Sequence, residues 1–235
     1  VYLPAALETG AEILLTEERA HYLLAVLRLK KGDFLSVFDG RGGEYGAELI
    51  AAGRHQARLK IGSFRARDAE SPLSIHLGLA VAKGERMDFS IQKATELGVT
   101  SIAPLLSEHC AVRLAGKEES RLKHWKKIAI AACEQCGRNK IPQILPPQPF
   151  EQWLTAQSGG VLLDPAGTPF TRLTQPDRSL TVLVGPEGGL SVEERRRALE
   201  AGFVAASLGP RILRVETAVV AALSLAQALW GDGRA

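Results

Sequence analysis

Apolar and polar positions alternate in short runs over residues 1–70, the mark of strands with one face on a core. Phe34–Phe38, Tyr45–Ile50 and Arg58–Phe64 predict three strands. Lys31-Gly32-Asp33 and the wide Asp39-Gly40-Arg41-Gly42-Gly43 read as turns, and His21–Leu29 as a short helical stretch. Charge and proline interrupt the rhythm at Arg67–Pro72, which predicts a domain boundary near residue 70. Beyond it the pattern becomes strand, helix, strand, helix. Strands are predicted at Ser74–Ala82, Ile102–Leu106, Gly160–Asp164, Leu180–Val184 and Phe203–Ala206. Helices are predicted at Glu85–Leu97, Glu118–Cys136, Phe150–Ala156, Val192–Ala201 and Val215–Trp230. Gly98 stands where a helix C-cap is expected, and Pro142–Pro149 reads as a proline-rich connector. In the longest helix Leu122, Trp125, Ala129, Ala132 and Cys133 form the inward face. Such alternation implies an α/β domain over 71–235, with a mostly parallel sheet and helices on both faces.

In an open parallel sheet, ligands bind beyond the carboxyl ends of the strands. Three predicted strand ends run into Gly- and Pro-bearing loops: Asp164-Pro165-Ala166-Gly167, Gly185-Pro186-Glu187-Gly188-Gly189, and Leu208-Gly209-Pro210. The second is the most informative. A buried strand opening into a loop with almost no side chains brings backbone N–H and C=O groups close to a ligand. Neither G-x-x-x-x-G-K-[ST] nor a helix-opening G-x-G-x-x-G occurs, so the common nucleotide-phosphate loops and a nicotinamide-type oxidoreductase are disfavoured.

Composition adds limits. Hydrophobic residues are 46% and charged residues 23% of the 235, an ordinary globular profile. The apolar Ala218–Trp230 is too short to span a bilayer, and Val1–Leu15 shows no signal-peptide pattern. Cys110, Cys133 and Cys136 form no disulfide framework, which points to a reducing, cytoplasmic setting. The lone C-x-x-C lies on one helix face without zinc-spaced partners, so a core or interface role is expected and no metal. The net charge of +3 is uneven: residues 51–150 carry 16 basic and 9 acidic groups. A basic middle is compatible with a polyanionic partner and equally with a solvated helix surface.

V-G-P-E-G-G-L-S-V-E-E (Val184–Glu194) and L-G-P-R-I-L-R-V-E-T-A (Leu208–Ala218) resemble the two signature segments of the 16S ribosomal RNA uracil-N3 methyltransferase family of the SPOUT class. Lys83–Val99 and Ala132–Pro142 match as well, and His21–Asp33 resembles that family's small PUA-like RNA-binding β-barrel. Tyr22 departs from the second histidine that many members show there. The resemblance covers nearly the whole chain. It implies a PUA-like barrel over 1–70 and a methyltransferase domain over 71–235 containing a deep trefoil knot. Chains ordinarily do not thread loops, so the knot is implied by the resemblance alone.

The resemblance further implies S-adenosylmethionine as cofactor, a homodimer, and 16S RNA of the small subunit as partner. Asp164, Pro165, Ala166, Leu183, Val184, Gly185, Pro186, Glu187, Gly188, Gly189, Leu208, Gly209, Ile212 and Leu213 would then hold the cofactor. Methyl transfer to a base nitrogen requires in-line alignment and stabilisation of charge developing on the neighbouring carbonyls, work suited to arginine. Arg214 is the first candidate, with Glu216 as an orienting group. Arg138 would meet RNA or reach the site from a partner subunit. Arg54, Arg58, Lys60, Arg65, Arg67, Lys83 and Arg86 are the expected phosphate contacts. Two other readings remain open: the same chemistry on another rRNA or tRNA nucleotide, and a non-catalytic RNA-binding assembly factor.

Overall fold

The structure, a computed structural model, describes residues 1–110, 114 and 116–234. The chain forms two compact units. One comprises Val1–Ala69 with Gly137–Ile141, the other Glu70–Cys136 with Pro142–Ala235.

In the first unit β1 (Glu12–Thr16) leads into α1 (Glu17–His21) and a π-helical turn, Tyr22–Val26. β2 (Phe34–Val37), β3 (Glu44–Ala52) and β4 (Gln56–Arg65) follow, in an antiparallel sheet of order β1-β4-β3-β2. Period-two burial is clearest in β4, where Ala57, Leu59 and Ile61 are buried and Gln56, Arg58 and Lys60 are exposed. Leu15, Leu23, Val37 and Leu49 complete that core. The apolar–polar pattern did not show β1. Ile13-Leu14-Leu15 reads as a continuous apolar run, although only Leu15 of this edge strand is fully buried.

The expected boundary near residue 70 also hides a return of the chain. Residues 137–141 follow α3 in sequence but pack within the first unit. Asn139 Nδ2 donates to the Arg67 carbonyl at 2.6 Å and Arg67 Nη1 to the Gly137 carbonyl at 2.6 Å. Lys140 pairs with Asp68 at 3.0 Å. Gly137 has φ +81, and a Cβ there would stand 3.0 Å from the Arg67 guanidinium.

The second unit is built in the order β5 (Ser74–Ala80), α2 (Glu85–Glu96), β6 (Val99–Leu106), α3 (Glu118–Cys136), β7 (Gln143–Ile144) and β8 (Gln148–Pro149). It continues with α4 (Phe150–Leu154), β9 (Gly160–Pro169), β10 (Ser179–Val184), α5 (Val192–Glu200), β11 (Phe203–Ser207) and α6 (Val215–Trp230). The sheet runs β11-β9-β10-β5-β6-β7, with β8 also against β6, and every described pairing is parallel. The proline-rich connector thus contains two short strands. On one face Ile75, Leu77 and Leu79 pack with Met87 and Ile91 of α2, Trp125 and Ala129 of α3, and Val219 and Leu223 of α6. On the other, Leu105, Leu162 and Leu183 pack with Phe150 and Trp153 of α4, Ala198 of α5 and Phe203. Helices on both faces follow from strands that are apolar on both sides. β10 enters between β5 and β9, and β11 then adds outside β9. This reversal of strand order is where an open parallel sheet forms its crevice.

Candidate active site

β10 is a central strand with Val182 and Leu183 fully buried, and it ends abruptly at Gly185. The following turn closes through Gly189 N–H to the Pro186 carbonyl at 2.9 Å, with Gly189 at φ +73. Ser191 then starts α5 in a capping box, its side chain accepting from Glu194 N–H while Glu194 accepts from Ser191 N–H. The other Glu194 oxygen accepts from Glu108 N–H at 2.8 Å, and His109 Nδ1 lies 3.2 Å from the Gly189 carbonyl. The segment after β6 is therefore tied to the Gly loop.

The second wall is an excursion inside β9. Ala205 of β11 pairs with Leu162, yet its neighbour Ala206 pairs with Thr168. Residues 163–167 are looped out between those pairings. Asp164 Oδ1 accepts from Ala166 N–H at 2.8 Å, which tightens the loop. Its Oδ2 takes Arg195 Nε at 2.5 Å. Burial alone would raise the Asp164 pKa, but the Arg195 hydrogen bond, the Ala166 N–H and the Arg195 charge together hold it below the ordinary carboxylate value. The third wall is Leu208–Leu213, with Gly209 at φ +106, before Arg214 opens α6 in an extended conformation.

These walls enclose a cavity of about 380 Å³, within the range of small-molecule sites. Leu162, Leu163, Val184, Leu190, Leu208, Ile212, Leu213 and Val215 make most of its lining apolar, and Asp164, Glu187, Arg195 and Arg211 supply the charged groups. Of the expected cofactor residues, Asp164, Pro165, Val184, Gly185, Pro186, Glu187, Gly189, Leu208, Gly209, Ile212 and Leu213 line it. Ala166 contributes through its N–H to Asp164. Leu183 instead points into the core beside Trp153 and Phe203, and Gly188 lies against His109.

Arg214 is exposed at the N-cap of α6, between lining residues Leu213 and Val215. Glu216 is half-buried in the first turn, and its Oε2 is buried with no hydrogen-bond partner among the described residues. Arg138 does not line the cavity; it lies in the 137–141 segment of the first unit and is 4% exposed.

The expected RNA contacts divide. Arg86 is drawn to the cavity, its guanidinium 2.9 Å from Glu187, while Lys83 is exposed in the preceding turn. In the first unit Arg58 lies 3.4 Å from Glu12, and Arg65 and Arg67 lie 3.8 and 3.6 Å from Glu44. Lys60 stands in register between Glu12 and Glu48, and Arg54 is exposed in the β3–β4 turn.

Arg195 and Arg211 line the cavity without having been singled out. Arg211 stood inside the recognised L-G-P-R-I-L-R segment, whereas Arg195 carried no signal. Only the fold brings it to Asp164, which lies 31 residues earlier. Cys133 is buried in α3 and Cys136 half-buried beside it. Among the described residues no group of three His, Cys, Asp or Glu is placed to hold a metal ion, and no helix is long and apolar enough to cross a membrane.

This sheet with a three-loop cavity at its switch point is the architecture of an RNA methyltransferase. The RNA methyltransferase domain model matches residues 69–227, and the RNA methyltransferase PUA domain model matches residues 15–62. A ribosomal RNA small subunit methyltransferase E from Buchnera aphidicola is 37% identical, covering 99% of this chain and 96% of its own length. The crystal structure of a ribosomal RNA small subunit methyltransferase E from Neisseria gonorrhoeae bound to S-adenosylmethionine matches with a TM-score of 0.92 and 38% identity, covering 98% of this chain and 97% of its own. A methyltransferase structure from Legionella pneumophila, with bound S-adenosylmethionine, matches with a TM-score of 0.94 and 38% identity, covering 99% and 98%. The chain belongs to the ribosomal RNA small subunit methyltransferase E family.

Proposed function

We propose that this protein transfers a methyl group from S-adenosylmethionine to N3 of a uridine in 16S RNA of the small ribosomal subunit, acting as a cytoplasmic homodimer. The observation that carries the reading is the cavity at the ends of β9, β10 and β11. Its volume, its apolar walls and the exposed backbone of its Gly loops fit an adenosine-bearing ligand. Its charged groups fit the polar ends of that ligand. The trefoil crossing implied by the family resemblance belongs to the same reading.

When bound, the cofactor supplies a methyl group already activated by the sulfonium. The chain's residues then have three tasks. Leu208, Ile212 and Leu213 would cover the apolar part of that ligand and exclude water from it, while Gly185, Gly189 and Gly209 let backbone donors and acceptors approach. Asp164, kept ionised by Arg195 and the Ala166 N–H, offers fixed acceptor oxygens at the wall. Arg214, at the N-cap of α6 beside the third loop, would meet the uracil carbonyls and stabilise the charge that builds on them as the N3 proton passes to solvent water. Glu216 orients that region from the first turn of α6, and Arg86 fixes Glu187 at the cavity rim. Arg138, 4% exposed in the 137–141 segment of a single chain, is the residue that would meet the RNA or reach the site from a partner subunit.

The test is incubation with methyl-labelled S-adenosylmethionine and undermodified small-subunit particles, 16S RNA or tRNA. Label should enter the small-subunit RNA. Incorporation confined to tRNA, or none in any RNA, would contradict the proposal.

A further inference from the structure

We propose that the turn Val26–Lys31 in the first unit is a phosphate-binding contact for the substrate RNA, with Arg28 at its tip. The inference rests on the RNA-methyltransferase reading above. Among the described residues only Glu17 and Arg28 are non-glycine residues with positive φ, and Arg28 has φ +57. The π-helical turn Tyr22–Val26 closes through Leu27 N–H to the Tyr22 carbonyl at 2.9 Å, and Leu29 N–H reaches back to the Leu23 carbonyl at 3.0 Å. The residue between those two amides must be left-handed, a position that glycine normally fills. An arginine there opposes the local backbone preference, so its side chain needs its own explanation.

The surroundings supply one. Arg28, Lys30 and Lys31 are all exposed, and no ion pair or side-chain hydrogen bond engages them among the described residues. Asp33, the nearby acid, accepts the backbone N–H of Lys30 at 2.8 Å. Val26 and Leu27, 57% and 41% exposed, sit beside these cations. On β4, by contrast, Arg58 is paired with Glu12, and Lys60 lies in register between Glu12 and Glu48. Arg65 and Arg67 face Glu44. The charge on and just after β4 is thus largely paired with acids of that sheet, whereas the cations at 28, 30 and 31 share their turn with Asp33 alone and form no ion pair among the described residues. Uncompensated cations are what release counterions from a nucleic-acid backbone. The adjacent apolar pair suits sugar and base faces.

The experiment measures equilibrium binding of the full chain to small-subunit RNA from about 50 to 200 mM salt. Arg28→Gly preserves the left-handed backbone with the residue that favours it, so folding is not compromised. It should weaken binding about tenfold and flatten the salt dependence by about one phosphate contact. Adding Lys30→Ala and Lys31→Ala should remove about three contacts. The loss should lie in KM for RNA rather than kcat, with S-adenosylmethionine affinity unchanged and Tm equal or higher for Arg28→Gly. Arg58→Ala with Lys60→Ala should change the salt slope less. A triple variant with wild-type affinity and slope, while the wild type methylates RNA, overturns this contact and leaves the methyltransferase reading standing. A wild type that neither binds nor methylates RNA removes both. Tighter binding of the wild type to phosphatidylserine vesicles than to RNA, abolished in the triple variant, would overturn the choice of partner.

Discussion

Replacing Gly167 by alanine attacks the cavity at the point where β9 returns to its neighbour. A Cβ at 167 would stand 2.4 Å from the Ala205 carbonyl carbon, 2.4 Å from Ala206 N and 2.6 Å from the Ala205 oxygen. Ordinary Cβ contacts begin near 3.4 Å, so the 163–167 excursion must retreat by about 1 Å to relieve the overlap. The obstructing atoms are paired-strand backbone and cannot rotate aside as a side chain would. That places the cost toward the upper end of the ~1–3 kcal/mol found for overpacking. At about 2–4 °C per kcal/mol for a chain of this size, Tm should fall by roughly 5–10 °C. The same retreat moves Asp164 and Pro165 away from the cavity, and S-adenosylmethionine affinity should drop by about tenfold, equivalent to ~1.4 kcal/mol. Scanning calorimetry and calorimetric titration read the two effects separately. Gly46→Ala is the control, because nothing lies within 4 Å of a Cβ there. A Gly167→Ala protein with Tm within about 2 °C of wild type and unchanged cofactor affinity would refute the idea that the excursion is seated on β11.

The Arg195–Asp164 pair is a charge-assisted hydrogen bond at 2.5 Å, but the arginine side chain is 43% exposed. Screening leaves about 1 kcal/mol, so Arg195→Ala should weaken S-adenosylmethionine about fivefold, and titration showing no change would remove the pair from the cavity's design. The folded Asp164 pKa lies below its ordinary 3.8, so its stabilisation is complete above the unfolded value and is lost as pH falls through the depressed one. The Tm advantage of wild type over Asp164→Asn should therefore hold from neutral pH to about 5 and shrink only below about 4; an advantage that grows on acidification contradicts this. Arg214→Ala should cut turnover by about 10²-fold or more with little loss of cofactor affinity. Equal loss of both would make Arg214 a cofactor or folding residue.

Helices with strong amphipathic stripes were legible to the residue. Glu118–Cys136 and Val215–Trp230 end where the pattern places them, and Trp125, Ala129, Ala132 and Cys133 of the predicted inward face of α3 are buried. The Gly loops were legible because glycine and proline punctuate a strand end whatever surrounds it. Features made by pairing were not. β9 reads as ending at Asp164, but it resumes after the excursion and continues to Pro169, a register shift that only its neighbour β11 defines. Residues 137–141 carry no local sign that they pack with Arg67 and Asp68, since those bonds span some 70 positions. Arg195 is similarly silent, because its meaning lies in where Asp164 comes to rest. Charge compensation on β4 was hidden for the same reason. The acids that neutralise Arg58 and Arg65 come from other strands.

In the proposed function the three-loop cavity directs an activated methyl group to one nitrogen of one kind of base. The most direct measurement digests small-subunit RNA labelled by this protein and identifies the modified nucleoside by chromatography and mass spectrometry. The expected product is 3-methyluridine, formed by the wild type and sharply reduced in Arg214→Ala. Label appearing only as another methylated nucleoside would contradict it.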